Sequence, residues 1–294
     1  MLVAPFRASV VAIPDEHRLK FQAVLDLYRR IKDGDKPSAV VAPTEQPVRD
    51  SVAEVLKLVA QVHRSSDVGA SGGRRELRYS EEYEWYLRDT RTDDRARKIV
   101  EQLFGTGPNV EAFGQTWPNP VTLVDRILKE HNVFQGLAGP VHGDLHPKNI
   151  VFDDQKEANI IDFGWARNDT HVVVDYLLLD INLRAITMAS QVPDIELLGA
   201  AHFLHNGDVC KGVNDPRLVK RLGIIKEVIW SLAVSNNAVS ADTGPAWLKE
   251  YMIPYFLVAF GLLIYLDDAQ NQRALLASVL AAAKRIDCEL PVST

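Results

Sequence analysis

The sequence predicts an α+β protein that is mainly helical and carries a small β hairpin near its centre. The hairpin is predicted from two short apolar runs, residues 150–152 and 159–161, that flank a polar turn at residues 153–157. The helical body is predicted because the second half of the chain repeats apolar residues at helical spacing. With 294 residues and 47% hydrophobic content, the chain can bury the core of one large domain or two smaller ones.

In the first half of the chain, capping signals and glycines set the expected elements. Ser51 followed by Glu54 is a capping box and predicts a helix from Ser51 to about residue 63. A helix interrupted at residues 89–94 is expected over 81–104, and Asn119-Pro120 predicts the start of another that ends near residue 131. Gly136, Gly139 and Pro140 then predict a turn into the central motif.

After the hairpin we expect a loop over residues 165–170 and then helices only. Asp180 and Arg184 stand four residues apart on the first of these helices, which predicts an ordinary surface ion pair. The predicted helices cover residues 172–188, 194–204, 216–239, 247–267 and 271–286.

Charge and hydropathy favour a cytoplasmic protein without a nucleic-acid or membrane partner. The net charge is −6 and the pI is near 5.8, which argues against a nucleic-acid-binding surface. Cys210 and Cys288 suit a reducing compartment and do not form a metal-binding pair. The apolar run 252–266 is interrupted by Pro254 and Gly261 and is shorter than the roughly 18–20 residues of a bilayer span, so a buried core helix is expected there.

The stretch from Val141 to Ile150, with sequence VHGDLHPKNI, carries the candidate chemistry. Asn149 follows Asp144 by five residues, and Asp162 lies beyond the hairpin, so three oxygen-bearing side chains are expected at one end of a small sheet. A magnesium-dependent phosphoryl-transfer site needs a carboxylate to accept the proton of the attacking hydroxyl. It also needs an amide and a second carboxylate to hold the metal against the phosphates.

The His-x-Asp-x-x-x-x-Asn motif of residues 142–149, the hairpin, and Asp162-Phe163-Gly164 together resemble the catalytic core of the aminoglycoside phosphotransferase and choline kinase-like enzymes. These bacterial and other transferases share the protein-kinase fold, and the resemblance covers about residues 119–185. It implies that residues 46–294 form a kinase-like, mainly helical C-terminal lobe. It also implies ATP or GTP as phosphate donor, Mg²⁺ as cofactor, and a hydroxyl of an unidentified small molecule as acceptor.

The same resemblance implies a role for each residue of the site. Asp144 would be the catalytic base, and Asn149 and Asp162 would bind Mg²⁺ next to the nucleotide. His142 would hold the loop through hydrogen bonds, and Asp175 would brace it from behind. His146 would be a loop residue near the substrate or the metal.

The sequence from Asp162 through Asp175 to Asp180 also looks like a narrower, kinase-like group, the ternary complex-associated domains of bacterial conflict systems. That resemblance implies no substrate.

The N-terminal region departs from the kinase pattern. A complete kinase has a glycine-rich loop, a strand Lys and a helix Glu ahead of the catalytic loop. Here only 141 residues precede His142, and the candidate strand at residues 9–13 contains no Lys. We therefore expect residues 1–45 to be at most a remnant of a nucleotide lobe that is reduced or missing. Two alternatives to a reduced lobe are that the chain is the C-terminal part of a longer protein, or that ATP binding has been lost. The last case leads to the alternative function, a catalytically inactive kinase-like module that binds a ligand or a partner protein.

A metal-dependent phosphoesterase is the second alternative. His142, Asp144 and His146 alternate along the chain, and Gly143-Asp144-x-His146 matches the opening motif of metallophosphoesterases. The further Gly-Asp and Gly-Asn-His segments of that class do not follow. Trp165, beside the second motif, is expected either to stack on a substrate or to be a core or lobe-contact aromatic.

Overall fold

The computed structural model describes residues 45–64, 73–87, 95–152, 158–186, 192–206, 213–268 and 272–290. The predicted N-terminal segment 1–45, except for its last residue, lies outside the described residues, as does the candidate strand 9–13. The expected kinase-like lobe, residues 46–294, includes all the other described elements.

The fold is mixed α+β and mainly helical, as the sequence predicts. The helices are α1 Glu45–Arg64, α2 Tyr79–Glu82, α3 Glu84–Leu87, α4 Arg95–Phe104, α5 Pro120–Glu130, α6 Val173–Ile181, α7 Asp194–Asn206, α8 Pro216–Ile224, α9 Ser231–Ser235, α10 Gly244–Trp247, α11 Ile253–Gly261 and α12 Gln272–Glu289. Segments of π-helix, Asn182–Ile186, Ile225–Trp230 and Leu248–Met252, follow α6, α8 and α10. Short 3₁₀ segments are Pro147–Asn149, Phe163–Trp165 and Leu262–Asp268.

The strands form three small antiparallel sheets. The strands are β1 Arg74–Arg78, β2 Asn109–Ala112, β3 Gln115–Pro118, β4 Val133–Val141, β5 Ile150–Phe152, β6 Ala158–Ile160 and β7 Arg167–His171. The predicted hairpin is confirmed as β5–β6, with Ile150 opposite Ile160. The hairpin β2–β3 and the three-stranded sheet β1-β4-β7, with β4 in the middle, were not predicted.

The prediction of a turn before the central motif is wrong, because β4 continues through Gly136 and Gly139, with a register shift against β7 between Gly139 and Val141. A Cβ at Gly136 would lie 2.9 Å from Leu77 Cδ1 and 3.0 Å from His171 Cδ2. Glycine lets β4 lie close under the side chains of Leu77 on β1 and His171 on β7, which a larger residue would displace. The loop expected at 165–170 is also wrong in part, since β7 pairs with β4 through Gly139 and Thr170.

Two helix starts show the limits of capping signals. The Asn119 cap is confirmed, because its side chain accepts a hydrogen bond from Val121 N at 3.0 Å and donates one to Gly107 O at 2.7 Å. The start predicted at Ser51 is wrong, because α1 already begins at Glu45.

The long apolar run of the second half lies in the interior, as predicted, and every residue of α11 is buried. The helical stretch Gly244–Tyr265 is long and apolar enough to cross a membrane, but 83% of its most apolar 18-residue part is buried inside the protein. A buried helix of a soluble core has the same length and composition, so this stretch gives little support for a membrane span.

The ion pair between Asp180 and Arg184 is not on the surface, so that prediction is wrong. Both side chains are buried, and Arg184 Nε donates to Asp180 Oδ1 at 2.9 Å. Asp180 Oδ2 also accepts hydrogen bonds from Trp230 Nε1 at 2.8 Å and Tyr251 Oη at 2.7 Å. The pair therefore links the end of α6 to two π-helical segments of the helical body.

Candidate functional site

The candidate catalytic loop begins where β4 ends. It turns sharply at Gly143, whose φ of +78° lies in the left-handed region. A Cβ at this position would lie 2.5 Å from the backbone oxygen of Trp165. Only glycine fits this turn, which brings the loop against the 3₁₀ segment that follows Asp162.

Asp175, in the first turn of α6, supports the loop from inside the protein. Its Oδ2 accepts a hydrogen bond from His142 N at 3.0 Å, and its Oδ1 accepts one from Gly143 N at 2.9 Å. Oδ2 also lies 3.1 Å from His63 Nε2 on α1. Burial by itself raises the pKa of this carboxyl, but the hydrogen bond and attraction of His63 and the two backbone N–H bonds outweigh it, so the pKa lies below its ordinary value. Asp175 is therefore a buried, ionised carboxylate.

His142 connects the loop to the strand that leads to Asp162. Its Nε2 lies 2.9 Å from the carbonyl oxygen of Ile161, and its Nδ1 lies 3.3 Å from Asp144 N. A carbonyl only accepts and a backbone N–H only donates, so Nε2 carries the proton and Nδ1 is the acceptor. The ring also packs edge-on against Phe163, with centroids 4.8 Å apart. Both ring nitrogens are thus used in holding the backbone.

Asp144 and Asn149 contact each other directly. Asn149 Nδ2 donates to the backbone oxygen of Asp144 at 2.9 Å and to its Oδ2 at 3.3 Å. His146 Nε2 lies 3.6 Å from the same Oδ2. The Asp144 side chain is 34% exposed, whereas Asn149 is buried. The carboxylate therefore reaches the surface in an orientation that a buried amide fixes.

Asp162 stands on a left-handed backbone, with φ 60° and ψ 64°, and its side chain accepts a hydrogen bond from Gly164 N at 3.4 Å. The left-handed region is uncommon for residues other than glycine, and Asp is one of those that adopt it most readily. Ile161, the preceding residue, donates its N–H to Asn149 O at 2.9 Å and accepts from His142. The residue before Asp162 is thus hydrogen-bonded to the loop through both its N–H and its carbonyl oxygen.

These contacts bring together most of the residues singled out in the sequence. His142, Asp144, His146, Asn149 and Asp175 form one hydrogen-bonded or ion-paired group, and Asp162 joins it through Ile161.

The oxygen atoms of this group are of the type that binds magnesium. The nitrogen of the Asn149 amide is bound to Asp144, so its Oδ1 is the atom that it can offer to a cation. With the exposed Asp162 carboxylate this makes two hard oxygen donors, the type that Mg²⁺ prefers. Within the described residues, no cluster of three or more His, Cys, Asp or Glu side chains could hold a metal. A site of one Asn and one Asp, completed by phosphate oxygens and water, needs no such cluster.

Two contacts of the site were not predicted. Trp165 is 48% exposed and lies against Trp85 of α3, which is 37% exposed, with ring centroids 4.6 Å apart. The core alternative for Trp165 is therefore wrong, while the substrate-stacking and lobe-contact alternatives stay predictions. His63 reaches Asp175 across 112 positions of sequence. No local pattern signals either contact, because both partners come from distant elements.

Behind the loop lies a second buried histidine, His171, at the end of β7. Its Nδ1 lies 2.7 Å from the hydroxyl of Tyr83, and its backbone N–H donates to Glu82 Oε2 at 2.9 Å. Burial lowers its pKa to about 3, and the nearby charges of Arg74 and His63 act in the same direction. His171 is therefore neutral and ties α2 to the central sheet.

Comparison with known proteins gives one match. The family described as ternary complex associated domain 9 matches residues 16–205, which is more than half of the chain and includes the candidate catalytic loop, Asp162 and Asp175. No curated protein and no solved structure matches the chain. The resemblance to ternary complex-associated domains is thus confirmed at the level of the family, and the chain belongs to the ternary complex associated domain 9 family.

Proposed function

We propose that the chain is a kinase-like phosphotransferase domain that transfers the γ-phosphate of ATP or GTP to a hydroxyl group of a small molecule. The observation that carries this proposal is the hydrogen-bonded loop of residues 142–149. A buried carboxylate, Asp175, holds two consecutive backbone N–H groups of the loop. A buried amide, Asn149, holds the half-exposed carboxylate of Asp144. This arrangement presents one oriented base to the solvent, which phosphoryl transfer requires.

Asp144 is the general base in this proposal. Asn149 and His146 both approach Oδ2, so Oδ1 is the oxygen that faces the acceptor hydroxyl and takes its proton as the hydroxyl attacks phosphorus. The hydrogen bond from the Asn149 amide to Oδ2 keeps the Asp144 carboxylate from rotating. Asp144 therefore contributes both proton acceptance and the orientation of the attacking oxygen.

Asn149 Oδ1 and the Asp162 carboxylate would hold the magnesium ion. When bound, the ion neutralises the negative charge of the phosphate oxygens. The left-handed backbone of Asp162 and the Ile161 link keep its carboxylate next to the loop. His142 has both ring nitrogens occupied by backbone groups, so it is not available to join Asp144 and His146 around the metal ion of the phosphoesterase alternative.

An inactive kinase-like module is the second candidate. The family description names association with a ternary complex and no reaction. A module of this kind would use the same loop to bind a nucleotide or to support a protein-binding surface.

Calorimetric titration with ATP and with GTP, each with and without Mg²⁺, tests the proposal. We expect binding that requires Mg²⁺ and weakens at least about tenfold in Asp162→Ala, since a metal ligand is lost. Asp287→Ala is the matched control, because it removes the same charge from α12, where Asp287 pairs with Arg126. Its affinity should equal that of the wild type. Failure of both nucleotides to bind would reject the phosphotransferase.

Phosphate-release and product assays with Asp144→Asn separate the candidates. We expect nucleotide affinity to remain and turnover to fall by about a hundredfold or more, as for the loss of a general base. Binding without any turnover in the wild type would establish the inactive module instead. Phosphatase activity that disappears when a transition metal is chelated would establish the phosphoesterase.

A further inference from the structure

We propose that His63 is a positioning residue for Asp144, acting through Asp175, and that helix α1 is thereby part of the catalytic machinery. This inference rests on the proposed phosphotransferase function and adds a residue that neither the loop motif nor the family match assigns.

The geometry around Asp175 supports it. His63 and Asp175 have side chains only 4% and 1% exposed, and His63 Nε2 lies 3.1 Å from Asp175 Oδ2. The same Oδ2 accepts the N–H of His142. Asp175 Oδ2 thus accepts hydrogen bonds both from the His63 side chain of α1 and from the backbone N–H of His142 in the loop. The bond to His63 fixes the rotation of the carboxylate, so it also fixes where Oδ1 meets Gly143 N.

Helix α1 is well placed to serve as a rigid support. Val55, Leu56 and Val59 on its inner face are buried in the core, and Arg49 near its start forms an ion pair with Glu227 of the helical body. At its other end, the His63 carbonyl oxygen lies 3.3 Å from where a Cβ on Gly139 would be. The last turn of α1 therefore lies directly on β4, three residues before His142. The support for the loop comes from a packed helix end and not from a flexible segment.

A purely space-filling histidine would contribute packing, and its hydrogen bond would not matter to the loop. The two roles differ in the need for a donor at Nε2. His63→Gln places an amide nitrogen near that point, and His63→Met has a similar length without a donor. If His63→Met does not fold, His63→Asn takes its place, because its amide is too short to reach Asp175.

Amide hydrogen exchange measured by NMR on the full chain tests the donor. In His63→Met we expect the N–H groups of His142 and Gly143 to exchange about tenfold faster than in the wild type, corresponding to one lost hydrogen bond. In His63→Gln they should stay within about threefold of the wild-type rates, because a donor is retained.

Ile286→Ala in α12 is the control for general destabilisation, since Ile286 is fully buried and belongs to a helix outside the site. The N–H groups of the fully buried helix α11 serve as the internal reference. Ile286→Ala should leave the ratio between the exchange rates of the His142 and Gly143 N–H groups and those of α11 unchanged.

Kinetics on the same variants test the positioning role. We expect kcat to fall about tenfold in His63→Met while the nucleotide affinity changes by less than about threefold, and we expect His63→Gln to restore most of the rate. Equal behaviour of the Met and Gln variants at the loop amides, or unchanged loop exchange in His63→Met, would overturn the inference. If the wild type shows no turnover, the proposed function fails, while the exchange data still decide whether His63 holds the loop.

Discussion

The side chain of His171 shows how burial sets the charge of a single residue. Its ring lies between Tyr83, whose hydroxyl contacts Nδ1, and Phe134, with ring centroids 4.9 Å apart. Burial lowers its pKa to about 3, whereas an unfolded histidine titrates near 6.5. Between these two values the unfolded chain binds a proton that the folded chain does not.

This difference predicts a loss of stability on acidification. Because the folded state keeps His171 neutral, its contribution to the free energy of unfolding is complete above pH ~6.5. This contribution is lost progressively as the pH falls towards 3, at up to about 1.4 kcal/mol per pH unit. We expect His171→Asn to be less stable at pH 7, because the ring packing is lost. Its stability should nevertheless fall by about 2 kcal/mol less than that of the wild type between pH 7 and pH 5. Urea unfolding at pH 7, 6 and 5 measures this, and parallel pH profiles would contradict it.

At the scale of elements, the sequence predicts what short-range signals determine. Asn119-Pro120 marks the start of α5 because the cap bonds to N–H groups within two residues of it. The β5–β6 hairpin is predicted because its apolar runs and polar turn are contiguous. Strand β4 is missed because glycines usually mark turns, whereas Gly136 packs under side chains of β1 and β7 that lie far away in sequence. Polar β7 is missed for the same reason, since pairing with β4 is a long-range property.

Helix α11 crosses α3 at another close contact that depends on a glycine. A Cβ on Gly261 would lie 2.4 Å from Tyr86 O and 2.7 Å from its Cα, which are backbone atoms and cannot rotate away. We expect Gly261→Ala to lower the free energy of unfolding by about 1–3 kcal/mol or more, as for overpacking in a core.

Gly223→Ala in α8 is the matched control, because a Cβ there would meet nothing within 4 Å. It should raise stability by about 0.4–1 kcal/mol through helix propensity and a less flexible unfolded chain. Urea midpoints that shift in opposite directions would confirm both expectations. A Gly261→Ala protein as stable as the wild type would show that α3 moves away freely.

For the whole molecule, α6 connects the candidate site to the helical body. Asp175 in its first turn holds the candidate catalytic loop, and Asp180 near its end accepts hydrogen bonds from Trp230 and Tyr251. The motif predicts Asp144, Asn149 and Asp162 as site residues because each is defined within one short segment, and the structure brings Asn149 into contact with Asp144. The contacts made by His63 and Trp85 are not predicted, since these residues lie more than 70 positions away in sequence from their partners. The spacing of Asp180 and Arg184 is likewise the same for a surface pair and a buried one, so sequence alone assigns it to the surface.

The buried ion pair gives a prediction about how the helical body is held together. The Arg184 guanidinium lies 5.5 to 5.9 Å from the ring centroids of Phe203, Trp230 and Tyr255. Its Nη2 lies 2.8 Å from Asp180 Oδ1. Its charge is therefore balanced by Asp180 and by the aromatic faces. Removing the cation alone would leave the Asp180 carboxylate charged in the interior.

We expect Arg184→Met to lower the free energy of unfolding by about 3–5 kcal/mol, because an uncompensated buried charge is costly. Adding Asp180→Asn removes that charge and keeps an oxygen acceptor for Trp230 and Tyr251. The double variant should therefore be more stable than Arg184→Met by at least about 1 kcal/mol, although Asp180→Asn alone destabilises the wild type. Urea unfolding of the four proteins gives the coupling free energy. If the two single effects simply add, the ion pair does not act as a unit, and packing of Arg184 against the three rings alone holds these helices together.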